Sequence, residues 1–256
     1  MKKLSARQAV LAALALGAGL LAGSSAGAVD WYTGDKTSEP DYAPSIVIDA
    51  SGSLTSKQSA FAAVAATAAV DGDLRQTGFR ARGEFIVGDY NYAATAAGLT
   101  RRIQANQQSG GALVGYAWAM PNWTYALFGG VQAVNTDLAP IDVNNRTRGL
   151  HVGGKIVGEF YGNPTARTML GGYASYGTAN SDYYSRFKAG YAIAERVFIG
   201  PEFLALGDKF YTEYRAGLHV TGVTLGALGL GVSGGFTSNR VTGSGAYGIV
   251  DARLGF

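Results

Sequence analysis

Cysteine is absent from the 256 residues. Disulfides, thiol chemistry, Cys-ligated zinc and lipid attachment at an N-terminal cysteine are thereby excluded. Only 6 prolines occur, too few for a polyproline or collagen-like rod. Charged residues make up 15% of the chain, too little for a solvated disordered polymer. Long apolar runs are also scarce. Ala9–Ala22 falls short of the ~20 residues that a spanning helix needs, and Ala60–Val70 is shorter still. Surplus charge of one sign is missing too. The formal net charge of +3 comes from Lys2, Lys3 and Arg7, in an opening stretch without Asp or Glu. Beyond Ala28 the two signs balance, so the chain has no excess cation with which to hold a phosphate backbone. No nucleic-acid partner is expected.

What is abundant is glycine, at 38 residues, within a chain that is 47% hydrophobic. Residues 1–28 have a basic start, an apolar middle and the small-residue ending Ala26-Gly27-Ala28, the three parts of a secretory signal peptide cut after Ala28. Residues 29–45 form an irregular leader by this reading, and residues 46–256 form one domain.

Within that domain the apolar residues recur with period two. Phe79, Ala81, Gly83, Phe85 and Val87 alternate with Arg80, Arg82, Glu84 and Ile86. Leu150, Val152, Ile156 and Phe160 alternate with His151, Lys155 and Glu159; Phe187, Ala189 and Tyr191 with Arg186 and Lys188; Phe210, Tyr214, Leu218 and Val220 with Glu213, Arg215 and His219. Such alternation is the mark of strands with two unlike faces. With the turn signals it predicts about twelve strands, near 46–53, 59–70, 78–90, 109–119, 123–134, 149–161, 166–178, 183–193, 196–206, 210–220, 223–235 and 243–256. Short links at 120–122, 162–165, 194–195 and 221–222 oppose longer connections at Asn91–Gln108 and Asn135–Arg148. Asp71–Thr77 is too long for its class. Pro201 lacks a ladder donor, so a bulge or bend is expected beside it.

Alternation alone does not say which row faces the core. A soluble barrel would turn the apolar rows inward. A membrane barrel would turn them outward and hide the charges, closing on itself because hydrocarbon tolerates no open edge. Three features favour the membrane: the apolar rows carry scarcely a charge; Tyr90, Tyr92, Trp118, Trp123, Tyr161, Tyr183 and Tyr184 crowd strand ends as an interfacial girdle would; and the last strand ends in Phe256, like bacterial outer-membrane barrels. The expected fold is all-β, a single antiparallel transmembrane β-barrel in the bacterial outer membrane, with outer-membrane lipid as its surroundings.

The inward row then carries Arg80, Arg82, Glu84, Lys155, Glu159, Arg186, Lys188, Glu202, Glu213, Arg215, Asp251 and Arg253. It either guides a polar solute or neutralises itself as a plugged interior. The only histidines, His151 and His219, sit on inward rows without a metal-ligand motif. No P-loop, GxSxG or dinucleotide fingerprint is present. No catalytic residue, metal or cofactor is expected, and the chain reads as a non-enzyme. Glycine pairs such as Gly129-Gly130 and Gly171-Gly172 lie within strands, where they relieve crowding in a curved wall.

A more specific pattern runs through Tyr184-Ser185-Arg186-Phe187-Lys188-Ala189-Gly190-Tyr191, Ile199-Gly200-Pro201-Glu202-Phe203-Leu204-Ala205-Leu206-Gly207 and Tyr214-Arg215-Ala216-Gly217. Together with Asp71-Gly72-Asp73-Leu74, Gly78-Phe79 and Asp89-Tyr90-Asn91-Tyr92, it resembles the cellulose biosynthesis protein BcsS family. The resemblance spans roughly Ile46 to Phe256. It implies an exported, non-catalytic accessory of cellulose biosynthesis and export, with a cellulose-synthase or secretion complex and glucan as partners. A general porin and a surface structural or adhesion protein are the alternatives. The family-motif positions carried over are Arg186, Gly190, Tyr191, Gly200, Pro201, Glu202 and Gly207. Arg186 and Glu202 are expected as an inward charge pair on adjacent strands, with Arg186 opposite position 203 and diagonal to Glu202.

Overall fold

The computed structural model describes residues 44–96, 99–239 and 242–256. The expected signal segment 1–28 and nearly all of the leader 29–45 lie outside the described residues. The strands are β1 (Ile46–Thr55), β2 (Ala60–Ala69), β3 (Gly78–Ala96), β4 (Leu99–Ala119), β5 (Trp123–Ala139), β6 (Gly149–Thr165), β7 (Thr168–Gly177), β8 (Asp182–Ala194), β9 (Val197–Gly207), β10 (Thr212–Leu225), β11 (Leu228–Asn239) and β12 (Gly243–Gly255). Each pairs antiparallel with its neighbours, and β1 closes on β12, so the barrel has no free edge. The closing ladder runs from Val47↔Gly255 to Thr55↔Tyr247.

Which row faces out is now plain. Phe79 is 61% exposed, Val114 70%, Leu150 69% and Phe236 80%, while Arg82, Lys155, Arg186 and Glu202 are buried. Apolar outside and charged inside is the inverse of a soluble barrel, and it suits strands solvated by lipid. The protein is an outer-membrane β-barrel.

Several expectations need correction. The short link expected at 221–222 lies within β10, where the β10–β11 register shifts between Thr221 and Val223, and the turn falls at 226–227. Asn91–Gln108 is not a long loop. It is the top of a hairpin in which β3 and β4, with 19 and 21 residues, stay paired up to Ala96↔Leu99. Its polar residues had concealed a strand because they occupy the outer face above the lipid, where water replaces hydrocarbon. The β8–β9 register is also one residue away from the expected one. Arg186 lies opposite Leu204 and Lys188 opposite Glu202, so residues of one face pair with residues of the same face. The expected bend near Pro201 takes the form of a lapse in that ladder between Lys188↔Glu202 and Tyr191↔Ile199, and the register shift falls at Ala192/Ala194. Gly200 lets the strands approach here, since a Cβ would lie 1.9 Å from the Ala189 carbonyl oxygen.

Both described chain ends lie at one end of the barrel, where the Ser45 amide donates to the Phe256 carbonyl at 2.6 Å. This end also holds the connections 120–122, 166–167, 195–196 and 226–227, and is called the turn end below. The loop end carries 140–148, 178–181, 208–211 and the tall β3–β5 flank.

Candidate functional site

The lumen is organised in three tiers. At the turn end, segment 70–77 folds back against the mouth. Leu74 is buried, and its amide donates to the Pro44 carbonyl at 3.0 Å. Arg80, buried on the inner row, donates to the carbonyls of Phe79 at 3.0 Å, Leu74 at 3.3 Å and Gln76. The excess length of this connection is thus tied to the inner row at the turn end. Tyr161, Met169 and Phe198 pack together on the same tier.

The middle tier is a set of ion pairs. The Arg186 guanidinium donates to both Asp251 oxygens, at 2.9 and 2.8 Å, and from Nε to Glu202 at 2.7 Å. Lys188 lies 3.1 Å from Asp251, the Ser51 hydroxyl donates to Asp251 at 2.9 Å, and the Tyr247 hydroxyl donates to Glu202 at 3.1 Å. On the facing wall Arg82 holds Glu159 at 3.0 Å through Nη2, donates to Thr67 at 2.9 Å, and stacks 4.2 Å over Phe128. Lys155 pairs with Glu84. Arg215 donates to Glu213 at 2.7 Å and to Ser53 at 2.6 Å. Arg186 and Asp251 belong to β8 and β12, which are not neighbours in the wall, so their contact is a chord across the lumen. Buried charges persist only with such partners, and the planar guanidinium serves two carboxylates at once.

All twelve expected inward residues lie on the inner face, and eleven of them are fully buried, with Glu84 half-buried. The arrangement also includes Asp49, which the sequence reading missed. It lies directly opposite Arg253 across the β1–β12 seam, and the two side chains are 3.1 Å apart. The weak alternation of β1 hid it; the acid–base match across the closing pair was the available signal. Of the family-motif positions, Arg186 and Glu202 meet in this tier, and Gly200 and Pro201 shape the wall beside it. Tyr191 is exposed on the outer face, Gly190 abuts Met169, and Gly207 ends β9. His219 donates from Nε2 to the Ala189 carbonyl at 3.1 Å, and His151 sits near the rim, 3.2 Å from the Arg148 carbonyl. Among the described residues no group of three His, Asp or Glu side chains is placed to hold a metal.

The burial of three tyrosines overturns part of the girdle reading. Tyr90 is 3% exposed, Tyr92 5% and Tyr161 2%, all pointing inward. Trp118, 42% exposed, does face out. Tyr90 and Tyr92 belong to an aromatic cluster with Ile103, Ala105, Leu138 and Tyr211, against which Phe61 packs. The Tyr90 and Tyr211 rings are 4.8 Å apart between centroids. The Tyr90 hydroxyl donates to Asp208 at 3.2 Å, and the Asn145 amide donates to the Tyr92 hydroxyl at 2.8 Å. Asp208 accepts from the amides of Phe210 at 2.6 Å and Tyr211 at 2.9 Å. Burial pushes its carboxyl above the usual range despite those hydrogen bonds. Between this cluster and the ion pairs lies a cavity of about 240 Å³, bordered by Tyr173, Tyr183, Tyr184, Asp182 and Asp208.

Among solved structures the barrel is similar to a KdgM porin, at 8% identity over 82% of this chain and 99% of that one, with a TM-score of 0.46. It is also similar to the transport unit of the autotransporter AIDA-I from Escherichia coli, at 9% identity over 99% of both chains, with a TM-score of 0.43. A TodX monoaromatic hydrocarbon channel mutant matches at 9% identity over 82% of this chain and 89% of that one, with a TM-score of 0.43. No curated protein matches. Residues 51–256, in contrast, match the family described as cellulose biosynthesis protein BcsS, across the whole wall from the middle of β1 to the closing strand. The chain belongs to the BcsS family of cellulose biosynthesis proteins.

Proposed function

We propose that this barrel serves cellulose production as a non-catalytic outer-membrane accessory, and that its lumen is not the conduit for the polymer. The observation that carries this reading is the chord of buried ion pairs at mid-height, with Glu202 0% exposed and Arg186 4%. The grip of Arg186 on Asp251 and Glu202 stands across the path that a threading glucan strand would take. Family membership supports the link to cellulose, and the apolar exterior supports a site of action in the outer membrane, beside a synthase or secretion complex. A general porin is the second reading, favoured by the barrel architecture and its charged inner row. The short outer connections, of which 140–148 is the longest among the described residues, offer less to an adhesion role.

Deleting the gene and measuring cellulose output, alongside conductance of the purified barrel in planar bilayers, tests this reading. The expected result is reduced cellulose with little steady conductance. Unchanged cellulose with a stable open-channel current would overturn it in favour of the porin.

A further inference from the structure

The cavity above the ion pairs has a distinctive electrostatic layout. At its floor each cation is matched: Arg82 by Glu159, Lys155 by Glu84, Arg186 by Asp251 and Glu202, and Arg215 by Glu213. At its loop-end rim stand two carboxylates bonded by neutral donors. Asp182 accepts from the Gln132 amide at 2.7 Å, and Asp208 from the Tyr90 hydroxyl at 3.2 Å. Both are half-buried, so solvent reaches this rim. The rim is therefore rich in acceptors and net negative, while tyrosine rings flank it.

From this layout we propose that the cavity is a binding site for the end of a neutral saccharide chain. Ring C–H faces lie against Tyr173 and Tyr184, whose rings are 5.7 Å apart between centroids, and sugar hydroxyls donate to Asp182 and Asp208. Neutral polyols bring the donors that carboxylates want, and aromatic rings take their less polar faces. An acidic saccharide would set its own carboxylate against two others that have no cation to offset them. Size sharpens the proposal. At about 240 Å³ the cavity lies below the roughly 300–1,000 Å³ of sites for drug-sized ligands. It has room for one terminal ring, not for a length of polymer. The proposal rests on the saccharide context of the accessory reading but is separable from it.

The test is calorimetric titration of the full barrel in detergent with cellobiose, cellotetraose and the glucuronate-ended disaccharide cellobiouronic acid. Cellobiose and cellotetraose should bind with affinities within about threefold of each other, because only one ring enters, and the acid about tenfold more weakly. Asp182→Asn keeps an oxygen acceptor for Gln132 and removes the charge, so it should bring the acid to within about threefold of cellobiose. Tyr184→Ala should weaken the neutral ligands by about tenfold. Both variants are compared only after the unheated gel shift shows a closed barrel. Absence of cellobiose binding, equal or tighter binding of the acid, or affinity that climbs steeply with chain length would overturn the site. A gene deletion that still lowers cellulose while cellobiose fails to bind would remove this site and leave the accessory reading standing.

Discussion

Along β4 the outward row changes character within one strand. Near the loop end it reads Arg102, Gln104, Asn106 and Gln108, all exposed; lower down it reads Ala112, Val114, Tyr116 and Trp118. The inward row changes in the opposite sense. Ile103 and Ala105 are buried inside the upper part, with Tyr90, Tyr92 and Leu138 from the adjoining strands. Below them the interior fills with Arg82, Glu84, Lys155 and Glu159. The top of the β3–β5 flank is thus built like a soluble barrel, polar outside and apolar within, and the lower wall is its inverse. Backbone pairing continues through the change without a break, from Ala96↔Leu99 to Gly78↔Ala117. Hydrogen bonding fixes the strand; the solvent outside decides which face carries which side chains. From Gly110 to Ala119 the lipid-facing stretch of β4 matches the 9–11 residues that cross a bilayer at a tilt.

The largest effect should come from the interior of the lower wall. Arg186→Ala leaves Asp251 and Glu202 to share the Lys188 cation, and should cost about 3–5 kcal/mol in urea unfolding from detergent or vesicles. Unfolding that matches the parent would show that the chord is not coupled as its geometry indicates. On the exterior, Val114→Arg places a charge in the lipid band and should cost roughly 2–4 kcal/mol, whereas Asn106→Arg on the same row should change stability by under about 0.5 kcal/mol. Equal costs at the two positions would erase the boundary between the regions. The smallest effect belongs to Asp208 at the loop end. Its carboxyl is raised by burial, so as pH falls from neutral through that raised value the folded loop takes up a proton that the open loop does not. Stability of 208–211 should therefore rise, with the gain complete below the ordinary carboxylate value. Amide exchange at Phe210 and Tyr211, corrected for intrinsic rates, should slow over that window in the parent and not in Asp208→Asn.

The same contrast explains what could be read from the sequence. The lower wall was legible because its two rows are chemically unlike; Phe79–Val87 against Arg80–Glu84 gives strand, face and charge at once. The choice between membrane and soluble barrel needed extra signals, since period two has no sign. The upper flank was illegible as strand because Gln104, Asn106, Gln107 and Gln108 resemble a solvated loop. Tyr90 and Tyr92 were misassigned for a related reason: tyrosine suits an interface, and it also suits a wet cavity with a hydrogen-bond partner such as Asp208 or Asn145. The Arg186–Glu202 contact followed from adjacent strands and matched charge. Asp251, the third member, comes from β12, and nothing in a hairpin-by-hairpin reading brings β8 and β12 together.

The interior bonds also constrain how such a chain reaches its final place. Ser51 and Asp251 are 200 positions apart, Arg82 and Glu159 are 77 apart, and Arg186 and Asp251 are 65 apart. Arg82 and Glu159 lack each other until β3 to β6 have curled together, and Arg186 and Asp251 until β12 has come round to β8. Ser51 and Asp251 are apart until the first and last strands meet. A partly built sheet in hydrocarbon would thus expose both its edges and part of its ionised row. Strand-by-strand insertion is therefore the unfavourable route. Curling, neutralisation of the inner row and entry into the bilayer belong to one concerted event, and contacts between the most distant parts of the chain set its pace.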